Sequence, residues 1–288
     1  MNGWKKIYMS KNESTYPINI KNLSLSEISK GIRKQILEII YIANGGHIGG
    51  CFSVTDILVT LYFSIINHDP SNPNWEDRDF VILSKGHCCL ALYTVLNQSG
   101  YFDKSLLDTY SKNGGKLGGH PKKNDAPGIE ATTGSLGHGL GIGNGIALAM
   151  KLKKKLNKIF VVMSDGELNE GSVWESIMFA AQNKLDNLVV VVDNNNQISL
   201  DKLDNILSIE PLDKRFKSFN WSVIRLNGHD FVELEKGLNQ IPLEVGKPLV
   251  IIADTIKGKG VSFMEGITKW HYRAPDDNEY EKAKKELS

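Results

Sequence analysis

Five short, continuous runs of apolar residues constrain the fold of this chain more than any other feature. They are FVILS (80–84), IFVVM (159–163), LVVVVD (188–193), WSVIRL (221–226) and PLVIIADT (248–255). Continuous apolar strands, unlike alternating ones, are typical of a parallel sheet that is buried on both faces. Segments with helical spacing separate these runs. The pattern therefore predicts a doubly wound α/β fold, with a mainly parallel sheet and helices on both faces.

Two helices are predicted ahead of the first strand. Residues 25–43 repeat isoleucine at helical spacing. A second helix is predicted over 53–66, with Ser53 as its N-cap and Asp56 as the capping-box partner. The first 22 residues lack the apolar segment of a secretory signal. We interpret residues 1–22 as an N-terminal arm and residues 23–288 as a single domain.

Composition argues against several classes of function. Of the 288 residues, 41% are hydrophobic and 23% are charged, as in a soluble globular protein. The formal net charge of +1 gives no electrostatic reason to expect nucleic-acid or membrane binding. No apolar run approaches the roughly 20 residues that span a bilayer. Because Cys51, Cys88 and Cys89 lack CxxC spacing, we interpret them as reduced, buried thiols of a cytoplasmic protein.

Polar side chains follow three of the predicted strands where each strand ends. The segments are SKGH (84–87), SDG (164–166) and DNNNQ (193–197). In open α/β sheets, ligands bind beyond the carboxyl ends of the strands. A carboxylate such as Asp165 and an amide cluster supply the oxygen ligands that Mg²⁺ prefers, and protein-bound Mg²⁺ commonly bridges phosphates. With Gly166 opening the backbone at a helix start, the sequence predicts a magnesium–diphosphate site.

The glycine-rich stretch TTGSLGHGLGIGNGIALAM (132–150) has spacings like those of a dinucleotide-binding loop. It follows no suitable apolar strand, and no acidic residue follows it about 20 residues later, as that motif requires. We interpret it as a phosphate-adjacent loop that enters a closely packed helix.

Five of the seven histidines lie in glycine-rich or loop contexts. They are His47, His87, His120, His138 and His271. Zinc ligation is the alternative, but neither HxxxH nor CxxC spacing supports it. The grouping predicts a ring of imidazoles around an active site.

Eight segments in consistent order resemble one known family. They are GGHIGG, RDFVILSKGH, GGHP, TTGSLGHGL, SDGELNEGSVWE, VVDNNNQ, DTIKGKGVSFME and WHYRAP, spread over residues 25–275. The chain resembles the thiamine-diphosphate-binding half of transketolase, and most closely the separately encoded N-terminal subunit. The resemblance implies the diphosphate-binding domain of the thiamine-diphosphate fold. It also implies transfer of a two-carbon ketol unit from a ketose, or its phosphate, to an aldose.

The resemblance also implies roles for individual residues. Mg²⁺ would be held by Asp165, Asn195 and the carbonyl of Gln197, with Asn196 as the alternative to Asn195. The residues implied to bind thiamine diphosphate are His87, Gly134, Ser135, Leu136, Gly166, Glu170, Asn195 and Lys257.

The substrate channel and the subunit interface are implied in the same way. His47, His120 and His271 would line the substrate channel, where imidazoles with pKa values near operating pH shuttle protons and bind hydroxyls. Glu170 and Glu175 match acidic residues that the family places at the subunit interface.

The family activates its cofactor with a glutamate from a pyrimidine-binding domain. The 17 residues after His271 are too few to form that domain, so a separate C-terminal subunit, in an α2β2 assembly, is the expected partner. Three alternatives stay open: the α subunit of a 2-oxo acid dehydrogenase, a 1-deoxyxylulose-phosphate synthase, and a non-catalytic paralogue. The histidines in GGHIGG, SKGH and GGHP argue against the first, because sugar hydroxyls need such a polar lining.

Overall fold

A computed structural model describes residues 22–288, so all but the last residue of the predicted N-terminal arm lies outside the described residues. The strands are β1 (Phe80–Leu83), β2 (Ile159–Ser164), β3 (Leu188–Asn194), β4 (Ser222–Asn227) and β5 (Leu249–Asp254). The α-helices are α1 (Leu25–Ala43), α2 (Ile48–Thr60), α3 (Cys89–Gln98), α4 (Lys104–Leu107), α5 (Gly139–Leu152), α6 (Gly171–Gln182), α7 (Leu203–Ile206), α8 (Leu212–Ser218), α9 (Phe231–Leu238) and α10 (Asp277–Glu286). Short 3₁₀ segments cover Gly86–Cys88, Gly166–Asn169 and Thr268–Trp270.

The five strands form one sheet in the order β1-β2-β3-β5-β4, and every neighbouring pair is parallel. Each of the five apolar runs supplies one strand, as predicted. Parallel neighbours bring the carboxyl ends of β1, β2, β3 and β5 to one edge of the sheet.

Side chains from both faces of the sheet are buried. In β2, Phe160 and Val162 join a core that includes residues of α1, α2 and α3, whereas Val161 and Met163 join a second core beneath α5 and α6. All four are fully buried. The doubly wound α/β prediction is therefore confirmed, with helices covering both faces.

The predicted start of the second helix at Ser53 is wrong. Helix α2 begins at Ile48, with His47 in the N-cap position. The Ser53 hydroxyl lies inside α2, where it donates to the carboxylate of Asp193 at 2.7 Å and lies 3.1 Å from the carbonyl oxygen of Gly50. Of the four glycines in GGHIGG, Gly45 and Gly46 lie in the break between α1 and α2, whereas Gly49 and Gly50 are helical.

The predicted capping partner, Asp56, is also inside α2. It pairs with Arg33 of α1 at 2.7 Å, so no capping box forms there. A glycine is needed at position 49 for packing, since a Cβ on Gly49 would lie 2.8 Å from the carbonyl oxygen of Trp270. The glycine therefore permits a close approach of the chain instead of ending a helix.

Helix α2 continues through a π-helical turn, Leu61–Ile65. The combined helix 48–65 has 18 residues and enough hydropathy to cross a bilayer. It is longer than any apolar run that the sequence analysis recognised. It is 83% buried inside the fold, so it packs as a core helix.

Candidate active site

The carboxyl ends of four strands converge on one group of polar side chains. Strand register aligns Ser164 with Asp193, and Asn194 with Asp254. The N–H of Asp165 also donates to the carbonyl of Asp193 at 3.3 Å, which joins the ends of β2 and β3. This edge is where the sequence predicted a ligand.

Asp165 is fully buried at the start of the Gly166–Asn169 turn. One carboxylate oxygen accepts the N–H of Gly166 at 2.7 Å, and the other accepts the N–H of Asn196 at 2.5 Å. Burial, together with the nearby charge of Asp193, raises the pKa of Asp165 to about 6. A bound cation would offset the cost of this buried charge.

The amide loop places the backbone of Asn196, the alternative to Asn195 as metal ligand, directly beside the Asp165 carboxylate. The Asn195 amide oxygen accepts the N–H of Gln197 at 3.1 Å, and its amide nitrogen faces Ser53 at 3.3 Å. Asn196 donates its amide nitrogen to Asp204 at 2.9 Å. Within residues 22–288 no hydrogen bond reaches the Asn196 amide oxygen. The contacts therefore favour Asn196, the alternative ligand, over Asn195.

Lys257 follows β5 and is buried beside the amide loop. Its Nζ donates to the carbonyl oxygens of Gln197, at 3.3 Å, and of Ile198, at 3.1 Å. Burial, followed by repulsion from Lys85, lowers the pKa of Lys257 to about 8. The Nδ1 atom of His271 lies 2.8 Å from Lys257 Nζ and accepts from the ammonium, which leaves the ring proton on Nε2.

Three imidazoles and one phenol surround His47. Its ring centroid lies 5.1 Å from that of His87, 6.1 Å from that of His120 and 5.3 Å from that of His271. Tyr272, which sequence reasoning missed, is nearer still at 4.7 Å. In the described ring contacts, His138 does not join this group, although the sequence grouped it there.

Three imidazoles of this cluster, those of His47, His120 and His271, have lowered pKa values that favour the neutral ring. Burial, aided by repulsion from neighbouring cations, lowers the pKa of His47 to about 4 and that of His271 to about 3. Burial also lowers the pKa of His120. Neutral imidazoles can both accept and donate hydrogen bonds, which suits contact with sugar hydroxyls.

A buried ion pair lies beneath the site and was not singled out from the sequence. Lys85 and Asp193 are 1% and 0% exposed, and they form a salt bridge. Ser53 and Thr255 also donate to the Asp193 carboxylate. Breaking such a pair by removing one partner leaves a buried charge uncompensated, so the pair fixes the spacing of β1, β3 and β5.

A second buried carboxylate, Glu167, holds the glycine-rich loop against β2. It accepts the N–H of Gly137 at 2.8 Å and the hydroxyl of Ser84. The Ser164 hydroxyl in turn accepts the N–H of Glu167 at 3.2 Å, which stabilises the turn that carries Asp165. The glycine-rich loop and the SDG turn are thus one hydrogen-bonded unit.

The glycine-rich loop lies along the same edge of the sheet. Gly134 is in the left-handed half of φ space at +154°, and a Cβ there would lie 2.9 Å from the His120 ring. Ser135 is exposed, whereas Leu136 is half-buried. Glu170 and Glu175 are exposed at the start of α6, on the rim of the site.

The side chains present fit a magnesium–diphosphate group. The available ligands are oxygens: a buried carboxylate, an amide oxygen without a hydrogen bond, and two loop carbonyls that face an ammonium. In the described part of the chain, no three His, Cys, Asp or Glu side chains group as in a zinc site. A Cβ on Gly166 would lie 2.6 Å from the Ile198 side chain, so glycine lets the amide loop pack closely against the turn that carries Asp165.

Comparison with known proteins identifies the same family that the motifs suggested. Residues 25–288 match the family model "Transketolase, thiamine diphosphate binding domain". The chain is 42% identical to one subunit of the apulose-4-phosphate transketolase of Phocaeicola vulgatus, over 89% of this chain and 91% of that protein. It is 39% identical to the 6-deoxy-6-sulfo-D-fructose transketolase subunit SqwG of Clostridium sp., over 85% and 90% of the two chains.

Solved structures agree on the fold. The transketolase of Campylobacter jejuni superposes with a TM-score of 0.86 at 32% identity. The match covers 92% of this chain but only 43% of that enzyme. The chain therefore spans about two fifths of a full-length transketolase, yet nearly the whole of the relatives that are themselves single transketolase subunits.

Proposed function

Since the chain belongs to the transketolase family, as its thiamine-diphosphate-binding domain, we propose that it is one subunit of a split transketolase. It transfers a two-carbon ketol unit from a ketose to an aldose when a partner subunit is bound. One observation carries the proposal: Asp165, Lys257 and the histidine cluster meet at one edge of the sheet. The length of the single-subunit relatives supports the division into two chains.

In this proposal, Asp165 and the amide oxygen of Asn196 would hold Mg²⁺, which would bind the diphosphate. Asn196 replaces Asn195 because the Asn195 oxygen is already bonded to Gln197. Loop carbonyls supply the remaining protein ligand, and Lys257 adds a positive charge beside the diphosphate. The other residues predicted to contact thiamine diphosphate keep that role in the proposal. They are His87, Gly134, Ser135, Leu136, Gly166 and Glu170.

Thiamine diphosphate supplies the electron sink for cleavage of a carbon–carbon bond next to a carbonyl. The chain's own residues orient the sugar and move protons. Because His47 is neutral at physiological pH, its ring can accept a proton from a hydroxyl group and return it, whereas His271 presents an Nε2–H that can donate. Lys257 fixes the His271 tautomer, so that its Nε2–H faces away from the ammonium.

The donor is proposed to be a ketose with an anionic group at its far end. The relatives support this class, since one is named for apulose-4-phosphate and another for 6-deoxy-6-sulfo-D-fructose. The reaction is proposed to take place in the cytoplasm. Cys51, Cys88 and Cys89 are free and buried, which supports a reducing compartment.

Removing the channel histidines is expected to impair turnover without affecting cofactor binding. His120→Ala and His271→Ala should each lower kcat/KM by about 100-fold or more, the usual loss when proton transfer is removed. Thiamine diphosphate affinity should change little, because the proposed metal and diphosphate ligands remain. Steady-state ketol-transfer kinetics and calorimetry on the assembled enzyme measure the two quantities.

His68 provides a matched control for this test. It is another imidazole of the described chain, bonded to the carbonyl of Tyr62 at 2.9 Å and packed outside the histidine cluster. His68→Ala should lower thermal stability but leave kcat/KM near its original value. If His120→Ala and His271→Ala instead only lower the melting temperature, their proposed channel role is wrong.

The outer face of α5 and α6 is proposed to bind the partner subunit. No charged residue occurs from 139 to 150. Ile142, Met178 and Phe179 are 37%, 49% and 43% exposed. Gly145, on the same face, has open space around it. An apolar outer face on two adjacent helices is unusual for solvent contact. Both helices start at the site, so a chain bound here reaches the cofactor.

A charge on this face should prevent assembly. Phe179→Glu is expected to weaken partner binding by about 30-fold or more, as when a buried aromatic anchor is removed from an interface. Copurification and analytical ultracentrifugation with the partner measure the effect. Val232→Glu, at a helical position that is 74% exposed on α9, is the control and should assemble normally. Normal assembly of Phe179→Glu would place the interface elsewhere.

A further inference from the structure

A buried polar network outside the proposed cofactor contacts joins α1, α2 and the loop after β4. The Arg33 guanidinium donates to both carboxylate oxygens of Asp56, at 2.8 and 2.7 Å, and to the carbonyl of Phe52 at 2.8 Å. The side chains of Arg33 and Asp56 are 8% and 5% exposed. His229 completes the network: its Nδ1 lies 2.7 Å from the Asp56 carboxylate.

The hydrogen bonds of His229 define its tautomer. Its Nε2 accepts the backbone N–H of Ile256 at 2.8 Å. A backbone N–H can only donate, so Nε2 carries no proton, and the ring proton lies on Nδ1 and is donated to Asp56. The preceding Gly228 permits this approach, since a Cβ there would lie 2.5 Å from a methyl group of Thr255.

Ile256 stands between two residues of the site. Thr255 donates its hydroxyl to Asp193, and Lys257 donates to the carbonyls of the amide loop. On the far side of Lys257, the N–H of Gly258 donates to the carbonyl of Gly49 at 2.9 Å. Among residues 22–288, His229 therefore supplies the one side-chain hydrogen bond to the backbone of Ile256, immediately before Lys257.

We propose that His229 is a positioning residue for cofactor binding. Through Asp56 and Arg33 it is anchored to the core helices, and through Ile256 it fixes the backbone from which Lys257 extends toward the metal loop. The inference rests on the proposed role of Lys257 in binding the diphosphate. It differs from a purely structural role, because it couples His229 to cofactor affinity and not only to stability.

Two substitutions separate the two hydrogen bonds. In His229→Gln, the longer side chain can place an amide oxygen near the position of Nε2 and keep the Ile256 contact. In His229→Asn, the shorter side chain can reach Asp56 with its amide nitrogen but loses Ile256. We expect His229→Asn to raise the Kd for Mg–thiamine diphosphate about tenfold, as loss of an outer-shell contact does. We expect His229→Gln to stay near the original value.

The measurement is calorimetry on the enzyme with its partner bound, with hydrogen exchange of the backbone at 255–258 in the cofactor-free protein. The Ile256 amide should exchange faster in His229→Asn and remain protected in His229→Gln. Should His229→Asn not fold, the amide protection in His229→Gln decides: protection supports the proposal, and its loss overturns it. His68→Asn is the control, expected to lower the melting temperature without changing the Kd.

The outcomes separate this inference from the proposed function. Wild-type cofactor affinity in His229→Asn, or equal weakening in both His229 variants, would overturn the positioning role alone. Failure of the wild-type assembly to bind thiamine diphosphate would overturn the proposed function, and the positioning role with it.

Discussion

Asp165→Asn is expected to abolish measurable Mg²⁺-dependent binding of thiamine diphosphate. The variant removes the charged ligand, and the affinity loss should exceed the roughly 100-fold that removal of an outer-shell partner can cause. An amide also has one acceptor oxygen, whereas the carboxylate accepts from both Gly166 and Asn196. In Asp165→Asn, the side-chain NH₂ group would face one of these backbone N–H groups, and this repulsion would loosen the amide loop. Calorimetry with the partner present, at several Mg²⁺ concentrations, measures the loss.

The variant should still fold. The pKa of Asp165 is raised to about 6, because burial in the folded state disfavours its ionised form relative to the unfolded chain. A raised carboxyl pKa means that ionisation opposes folding progressively above the ordinary value near 4, and fully above pH 6. Removing the charge of Asp165 therefore relieves the free-energy cost of burying a carboxylate, which bound Mg²⁺ would otherwise offset.

Asp201→Asn is the matched control for the metal site. It makes the same chemical change on the same loop, at an aspartate whose hydrogen bonds to Lys202 and Asn205 are local and exposed. It should bind the cofactor normally. Wild-type affinity for thiamine diphosphate in Asp165→Asn would show that Asp165 is not a metal ligand. A loss of affinity equal to that caused by chelating Mg²⁺ in the wild-type protein supports the assignment.

Residue patterns predicted the sheet well because its signal is local. Each strand except the edge strand β4, whose Arg225 is exposed, is built on a continuous apolar run, and in β2 the adjacent residues Val161 and Val162 point into opposite cores. The strand ends then had to meet at one edge, since parallel neighbours share direction. Asp165 and the amide loop were thus placed together before any contact was known.

The start of α2 was missed because its signal is not local. Glycines usually interrupt helices, but a glycine at 49 allows Trp270, more than two hundred residues away, to pack against the helix. Ser53 likewise has the chemistry of a cap, yet its hydroxyl binds Asp193 on β3. Tertiary contacts decided both positions, and neither is visible in a sequence window.

The choice between Asn195 and Asn196 depended on backbone conformation. Asn196 has a positive φ of 55°, and its N–H donates to Asp165. Asparagine tolerates this left-handed conformation better than most residues. All three residues of an NNN run share that tolerance, so their order could not be deduced from residue type. Tyr272 lies next to His271 in the WHYRAP segment, but its proximity to His47 depends on the fold and could not be deduced from that segment alone.

The purified chain without a partner is expected to show no ketol transfer. In the transketolase family, a glutamate from a pyrimidine-binding domain activates the cofactor. The buried carboxylates of the described site are already engaged: Asp193 by Lys85, Asp165 by two backbone N–H groups, and Glu167 by Gly137 and Ser84. None is free to take the role of that glutamate.

Adding the partner should restore activity by assembling one cofactor site from two chains. The apolar outer face of α5 and α6 would otherwise lie in water, and such a face is typical of an obligate interface. The test is a ketol-transfer assay on the chain before and after addition of the copurifying partner, with Phe179→Glu as a variant that should not be rescued. Activity that appears only with both chains supports the split enzyme. Robust turnover by this chain alone, free of any second protein, would show that the site is complete without a partner and that the split assignment is wrong.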